Sequence, residues 1–329
     1  MADCAFDVVG IGNAIVDVLS HADDAKLAAL GLTKGVMTLI NPDQAEQIYA
    51  QMGPGIECSG GSVANSIAGL AGLGGKGAYV GKVKDDQLGA VFRHDLRSLG
   101  VMFDTPAATE GAATARCLIL VTPDAQRTMQ TYLGACVALG PDDIDETTIA
   151  NAKVTYLEGY LWDPPQAKEA FRKAARIAHE AGRKVALSLS DPFCVDRHRA
   201  EFIELLADHV DVVFANEAEL TSLYQTDFDT ALRQVKDHCG IAAVTRGDKG
   251  SVVVAGDEIV VCGAEPVSQV VDTTGAGDLY AAGFLYGLTQ GRGLAASARL
   301  GGIAAAEIIS HFGARPEADL AQLVAKTSF

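Results

Sequence analysis

The chain has 329 residues, 49% of them hydrophobic, and a formal net charge of −16. Such a length suits two average domains or one large domain with a smaller appendage, and the apolar share is enough for a full core. The acidic balance excludes nucleic-acid and anionic-membrane binding, which select basic patches, but not an anionic ligand held by local backbone amides.

No apolar run reaches the ~18 residues needed to cross a bilayer, and the longest, at 300–309, is broken by Glu307. The opening residues carry no basic leader, so the expectation is a soluble, cytoplasmic protein without a signal peptide. Seven scattered cysteines form no Cys-x-x-Cys pair, which points to free thiols in a reducing compartment rather than disulfides or zinc.

In chain order, residues 7–11 read as a buried strand, 62–73 as a helix rich in small residues, 78–82 as a strand and 86–99 as a helix. Then follow strand 154–158, helix 165–181, strand 184–189, helix 199–207, strand 210–214 and helix 217–224. Strand 241–245 and helices 276–288 and 295–310 complete the series. Continuous apolar strands alternating with helices predict an α/β three-layer sandwich around a mainly parallel sheet.

Two regions break the rhythm. Residues 14–19 and 35–40 read as strands with a short helix between them, and 115–121 and 127–133 as a hairpin turning at 122–125. Strands without crossover helices predict a small β-rich lid. The expected division is a large domain of 1–12, 41–111 and 134–329, with 13–40 and 112–133 as the lid.

The sharpest motif is Val271-Asp-Thr-Thr-Gly-Ala-Gly-Asp278, after a strand-like run and at the start of a helix. Gly275 and Gly277 let the backbone turn tightly and approach a ligand. The first helical amides and the helix dipole then suit phosphoryl oxygens. Asp278, in the first turn, is expected to stay ionised and to line up a hydroxyl on phosphorus. The same residues would also make an ordinary helix cap.

Asp272-Thr-Thr-Gly-Ala-Gly-Asp278 resembles the C-terminal motif of the ribokinase-like, or PfkB, carbohydrate and nucleoside kinases, and the resemblance extends over almost the whole chain. It implies Asp278 as catalytic base, Gly275, Ala276 and Gly277 as anion hole, and Thr273 beside ATP. Asn216-Glu-Ala-Glu219 is similar to the family's Asn-x-x-Glu element, implying that Asn216 and Glu219 place Mg2+ and phosphate through water. It is equally a capping box. Thr245-Arg-Gly-Asp-Lys-Gly250 matches a loop lining the nucleotide, implying Thr245, Gly247 and Gly250 on the ATP side, or else a surface turn. Adenine is expected near 304–308, and the family leaves room for a monovalent cation (K+).

At the substrate end, Asp17 lies within an apolar strand, where a vicinal diol would be a fitting partner. The resemblance makes Asn13 and Asp17 sugar ligands, together with Gly60, Gly61 and Asn65 of Ser59-Gly-Gly-Ser-Val-Ala-Asn65. Close helix–sheet packing would also explain those glycines. Arg127 is similar to an arginine of adenosine kinases that swings over the phosphate, though a solvated lid arginine has the same signature. Gly12-Asn-Ala-Ile-Val-Asp17 and the Gly-Gly-Ser-x-x-Asn-Ser run at 60–66 resemble the adenosine-kinase branch. Ile15, Met37 and Met129, with Tyr160 or Trp162, are then candidates to sandwich a purine, or simply core. Asp191 adds a charge near that pocket.

Other motifs fail on spacing. Ile15 replaces the third glycine of a dinucleotide fingerprint, Leu70 and Gly77 break a P-loop, and Ala64 replaces the last glycine of a nucleophile elbow at Ser62. The expectation is therefore ATP-dependent phosphorylation of a nucleoside 5'-hydroxyl, adenosine to AMP. A kinase for a free sugar or sugar acid is the alternative, and a non-catalytic sensor a third reading. The partners are the small-molecule substrate and ATP, in a monomer or a homodimer.

Overall fold

A computed structural model describes residues 4–124 and 126–327. Along the chain lie β1 (Phe6–Ile11), β2 (Ile15–His21), α1 (Asp24–Ala29), β3 (Met37–Leu39), α2 (Pro42–Tyr49) and β4 (Gly55–Gly60). They are followed by α3 (Ser62–Gly72), β5 (Gly77–Val80), α4 (Gln87–Ser98), β6 (Ala115–Val121) and β7 (Arg127–Tyr132). Next come α5 (Glu146–Ala150), β8 (Ala152–Glu158), α6 (Pro165–Glu180), β9 (Lys184–Ser188), α7 (Pro192–His209), β10 (Val212–Asn216) and α8 (Glu217–Tyr224). The chain closes with α9 (Phe228–Val235), β11 (Ile241–Thr245), β12 (Ser251–Ala255), β13 (Glu258–Cys262), α10 (Ala276–Thr289), α11 (Leu294–Ile308) and α12 (Leu320–Ala325).

The large sheet has eight strands in the order β13-β12-β11-β10-β9-β8-β1-β5. All pairs from β5 to β11 are parallel, and β12 and β13 add an antiparallel edge. Its strands are apolar throughout because both faces are covered. In β10, Val213 and Ala215 join the core beneath α6–α9, while Val212 and Phe214 join the core beneath α3 and α10. From β1 the strand order runs outward in both directions, so the crevice at the carboxyl ends of β1 and β8 is a switch point where such sheets bind ligands.

The second sheet has five strands, β3-β7-β6-β2-β4. It contains the expected hairpin of β6 and β7. It also takes β4, from a stretch that sequence reading left with the large domain. β4 pairs antiparallel with β2 from Ile15 opposite Gly60 to Ser20 opposite Gly55; its Gly-rich ends hide the strand pattern. Of the turn at 122–125, Ala125 lies outside the described residues. Further differences are helices α2, α5, α9 and α12, the β12–β13 hairpin and an earlier start to α7. That helix begins at Pro192, capped by Asp191, and bends at His198, whose φ of −123° interrupts the helical pattern.

α10 is held by close approach to its neighbours. A Cβ at Gly283 would lie 2.4 Å from the Leu300 carbonyl oxygen of α11, and one at Gly69 of α3 would lie 2.5 Å from Leu279. Gly283→Ala is therefore expected to cost about 1–3 kcal/mol by overpacking, read as a lowered thermal midpoint; an unchanged midpoint would contradict this packing.

Candidate active site

Asp278 is the centre of the site. It lies in the first turn of α10, and two side chains of α3 hold it: Ser62 Oγ donates to Oδ1 at 2.6 Å and Asn65 Nδ2 to Oδ2 at 3.0 Å. Opposing influences act on the ionisation of this carboxyl. Burial drives it upward, while Ser62, Asn65 and the Arg315 charge pull the other way.

The helix start is open. Gly275 has φ +78°, a left-handed conformation that favours glycine, and no side chain caps α10. Among the described residues the amides of Gly277 and Asp278 find no acceptor, and a Cβ at Gly277 would meet nothing within 4 Å. Ala276 N bonds the Thr273 carbonyl, and Thr273 itself is exposed. Asp272 shapes the turn by accepting from Thr274 N at 3.0 Å. Naked amides at a helix N-terminus make an anion site.

Opposite lies the 60–61 loop, between β4 and α3. Gly61 has φ +93°, and a Cβ there would fall 2.2 Å from the Asn13 carbonyl oxygen. The Asp17 carboxylate lies against Gly60: a Cβ at that position would be 2.4–2.6 Å from its carboxylate atoms. Burial pushes Asp17 up to about 6, with Arg315 and Arg127 acting against it and Asp278 adding to it. Asn13 is buried and turns its amide onto Glu158, Nδ2 to Oε1 at 2.7 Å. Glu158 ends β8 and also accepts from Val63 N at 3.1 Å; burial pushes it up to about 7. Asn65 Oδ1 and Arg127 Nε are buried without hydrogen-bond partners, so the cleft retains an acceptor and a donor for a polar ligand.

Arg127, at the start of β7, is ion-paired with Asp272. In this state it clamps the small sheet to the glycine-rich turn rather than lying free. Met129 faces the same way, with Ile15, Leu19 and Ile119, and Met37 lies beside it in register. Tyr160 is 37% exposed on the turn after β8, its hydroxyl 3.3 Å from the Ser190 carbonyl. Trp162 does not reach the pocket. It is 1% exposed, packed against Phe171 and Phe202 in the far helical layer with Nε1 on Glu201; two residues past Tyr160 on a tight turn, it faces the opposite side.

At the sheet's far strands, Asn216 and Glu219 form the complete capping box. Glu219 N donates to Asn216 Oδ1 at 2.8 Å, and Asn216 N to Glu219 Oε2 at 3.0 Å. Burial, with the Asp191 and Asp278 charges, pushes Glu219 up to about 7. Asp191 caps α7 by accepting from Cys194 N at 2.6 Å. Thr245 is half-buried at the end of β11, and Gly247 opens the short turn that follows. Gly250 has a packing reason of its own, since a Cβ there would fall 2.0 Å from the Cys262 carbonyl oxygen.

Sequence reasoning missed three residues. Glu158 showed only as a charge ending an apolar strand, Ser62 as part of a failed hydrolase motif, and Arg315 had no signal. Arg315 donates from Nε to Ser59 O at 3.1 Å, from Nη1 to Ala64 O at 2.8 Å and from Nη2 to Ser59 Oγ at 2.9 Å.

Residues 25–320 match the model of the pfkB family of carbohydrate kinases. The chain belongs to this family. It is 35% identical over 236 residues to an ATP-dependent ribose-1-phosphate kinase of Halopiger xanaduensis, covering 70% of this chain and 73% of that one. Among solved structures, an adenosine kinase from Sinorhizobium meliloti superposes with a TM-score of 0.91 at 54% identity, over 98% of this chain and 99% of that one. A probable sugar kinase from Rhizobium etli CFN 42 gives 0.92 at 51%, over 98% of both. The fold is ribokinase-like, and the protein is a sugar or nucleoside kinase: a phosphotransferase with an alcohol acceptor. No helix among the described residues is long and apolar enough to cross a membrane.

If Gly60 is bare to seat the Asp17 carboxylate, Gly60→Ala raises the KM for the acceptor about tenfold or more, with the KM for ATP changed far less. Steady-state kinetics varying each substrate checks this, and equal changes in both would contradict it.

Proposed function

We propose that the chain transfers the γ-phosphoryl group of ATP to the 5'-hydroxyl of a nucleoside, with adenosine, converted to AMP, as the favoured acceptor. The carrying observation is the pairing of a diol-sized carboxylate with an apolar strip. Asp17 lies in register with Cys58 and Cys117, and the next row on that face is Met37, Met129, Ile119, Leu19 and Ile56. A ribose whose hydroxyls bond Asp17 would project its base across this row. A sugar 1-phosphate would set a dianion against it, and Arg127, the cation of the following row, is turned onto Asp272. The similarity to the Sinorhizobium meliloti adenosine kinase supports the same reading.

In the reaction, Asp278 takes the hydroxyl proton as the oxygen attacks the γ-phosphorus. The bond to the bridging oxygen breaks and ADP leaves. Ser62 and Asn65 keep the carboxylate aimed, and the Gly275, Ala276 and Gly277 backbone stabilises charge on the migrating group. Arg127 would reach that group once released from Asp272, as the small sheet closes like a lid. Thr245, Gly247, Gly250 and Thr273 would lie along the nucleotide, and Tyr160 at the edge of the acceptor pocket. The family implies ATP use. Among the described residues no group of three or more His, Cys, Asp or Glu could hold a metal ion. The buried Glu219, beside Asp191 and Asp278, instead suits a hydrated Mg2+ held through water by Asn216 and Glu219. The ion would supply positive charge to the phosphate oxygens.

A second reading is a kinase for a free sugar or sugar acid, favoured by the similarity to the probable sugar kinase of Rhizobium etli and by a diol site that needs only a sugar. Coupled ADP-release assays across adenosine, other nucleosides, ribose, fructose, ribose 1-phosphate and sugar acids distinguish the two. Adenosine is expected to give the highest kcat/KM; nucleosides that stay inert while a sugar turns over would overturn the proposal.

Asp278→Asn is expected to lower kcat by about a hundredfold or more while calorimetry shows acceptor affinity retained; unchanged turnover would remove Asp278 from its role. Because burial raises this carboxyl and only its ionised form accepts the proton, wild-type kcat/KM falls with decreasing pH through a limb above the ordinary carboxylate range.

A further inference from the structure

Arg315 follows α11 in a segment that touches both ends of the cleft. Ile309 O accepts from Val271 N at 2.8 Å, and Gly313 N donates to Asp272 Oδ2 at 3.3 Å. A Cβ at Gly275 would lie 3.2 Å from the Ala314 side chain, so Ala314 packs against the start of α10. The next residue crosses to the other wall. Arg315 bonds Ser59 at the end of β4 and Ala64 in the first turn of α3, on either side of the 60–61 loop. These contacts join positions more than 250 apart in sequence: the bond to Ala64 O spans 251 residues and the two to Ser59 span 256.

Its partners are notable for what they lack. Among the described residues its hydrogen bonds go only to two carbonyls and one hydroxyl, and no carboxylate pairs with it. A half-buried arginine that serves structure alone is ordinarily matched by an acid in contact. Here the positive charge stays uncompensated at contact distance, in a part of the fold where Asp17, Asp95 and Asp278 feel it. Asp95 is already committed, accepting from Ser59 N at 2.8 Å. Cys58 also lies in that field, but burial pushes its thiol up to about 11, so the acids of the cleft that the charge reaches are Asp17 and Asp278.

We propose that Arg315 is a positioning residue for phosphoryl transfer, bracketing the acceptor loop at Ser59 and Ala64 while lending one positive charge to Asp17 and Asp278 together. It rests on the roles given above to Asp278 and the 60–61 loop. The fork makes the loop rigid from both sides, so the acceptor meets a preformed seat. Because Ala314 and Gly313 grip the glycine-rich turn, the same segment fixes the distance between seat and anion hole. The charge favours ionised carboxylates in a cleft where burial acts against them. The other titratable groups coupled to Asp278 are Asp17, Glu158, Glu219, Tyr156 and Tyr160, all of which work against its ionisation or are neutral.

The test uses Arg315→Lys, which keeps the charge but loses the fork, and Arg315→Gln, which loses both. Both are expected to raise the acceptor KM about tenfold or more and to leave the KM for ATP within about threefold. Only Arg315→Gln moves the acidic limb of kcat/KM, upward by about half a unit or more, because removing a cation makes nearby carboxylates harder to ionise. A folded Arg315→Gln with an unmoved limb overturns the proposal, as does a lysine variant in which the two KM values rise together or neither changes. If the glutamine variant does not fold, the KM split of the lysine variant decides. Calorimetric acceptor binding to Asp278→Asn, with and without Arg315→Lys, separates this proposal from the base assignment: weaker binding supports Arg315 even if Asp278 is not the base, and equal binding overturns it.

Discussion

The site depends on one contact, the two hydrogen bonds by which α3 holds Asp278 at the start of α10. Ser62 and Asn65 occupy successive turns of one helix face, so both carboxylate oxygens are fixed from the same side. That requires the helices to lie close. α3 supplies the closeness with small residues, since Gly69 has no room for a Cβ beside Leu279. Helix α3 also begins at the 60–61 loop. The helix that aims the proposed base therefore carries the acceptor seat at its own N-terminus, and a shift in one is a shift in the other.

The electrostatics of the cleft are those of an overcrowded acid site. Asp17, Glu158, Glu219 and Asp278 are all driven upward, and in each case burial is the largest cause. A protein of net charge −16 adds no general positive field to relieve them. Relief is local: hydrogen bonds from Ser62, Asn65, Asn13 and the Val63 amide, and the guanidinium of Arg315. The same crowding explains how an acidic protein handles a polyanion. Uncapped amides at α10 offer partial positive charge without adding a side chain, and on the proposed reading the acids would favour a hydrated cation between themselves and the phosphates.

The two sheets divide the chemistry. The large sheet delivers Glu158, Asn216 and Thr245 to its carboxyl edge and presents α10 beside them. The small sheet brings Asp17 and an apolar face, tied back by the Arg127–Asp272 ion pair. That pair links the face expected to meet the acceptor with the turn expected to meet phosphate. On the proposed reading, an arriving nucleotide would draw Arg127 away from Asp272 and so favour closure of the small sheet.

The sequence by itself determined the α/β order, the parallel central sheet and the glycine-rich helix start with its aspartate, because each is local. Apolar strands covered on both faces leave unbroken runs, and a glycine-to-helix junction is written in adjacent residues. The tertiary structure decided what depends on distant segments meeting. β4 joined the second sheet through pairing with β2, Trp162 turned into the far layer, Asp278 shifted upward through burial, and Arg315 reached residues 59 and 64. None of these leaves a periodic or contiguous trace, since a hydrogen bond across some 250 positions and the desolvation of a carboxyl arise only once the chain has closed around them.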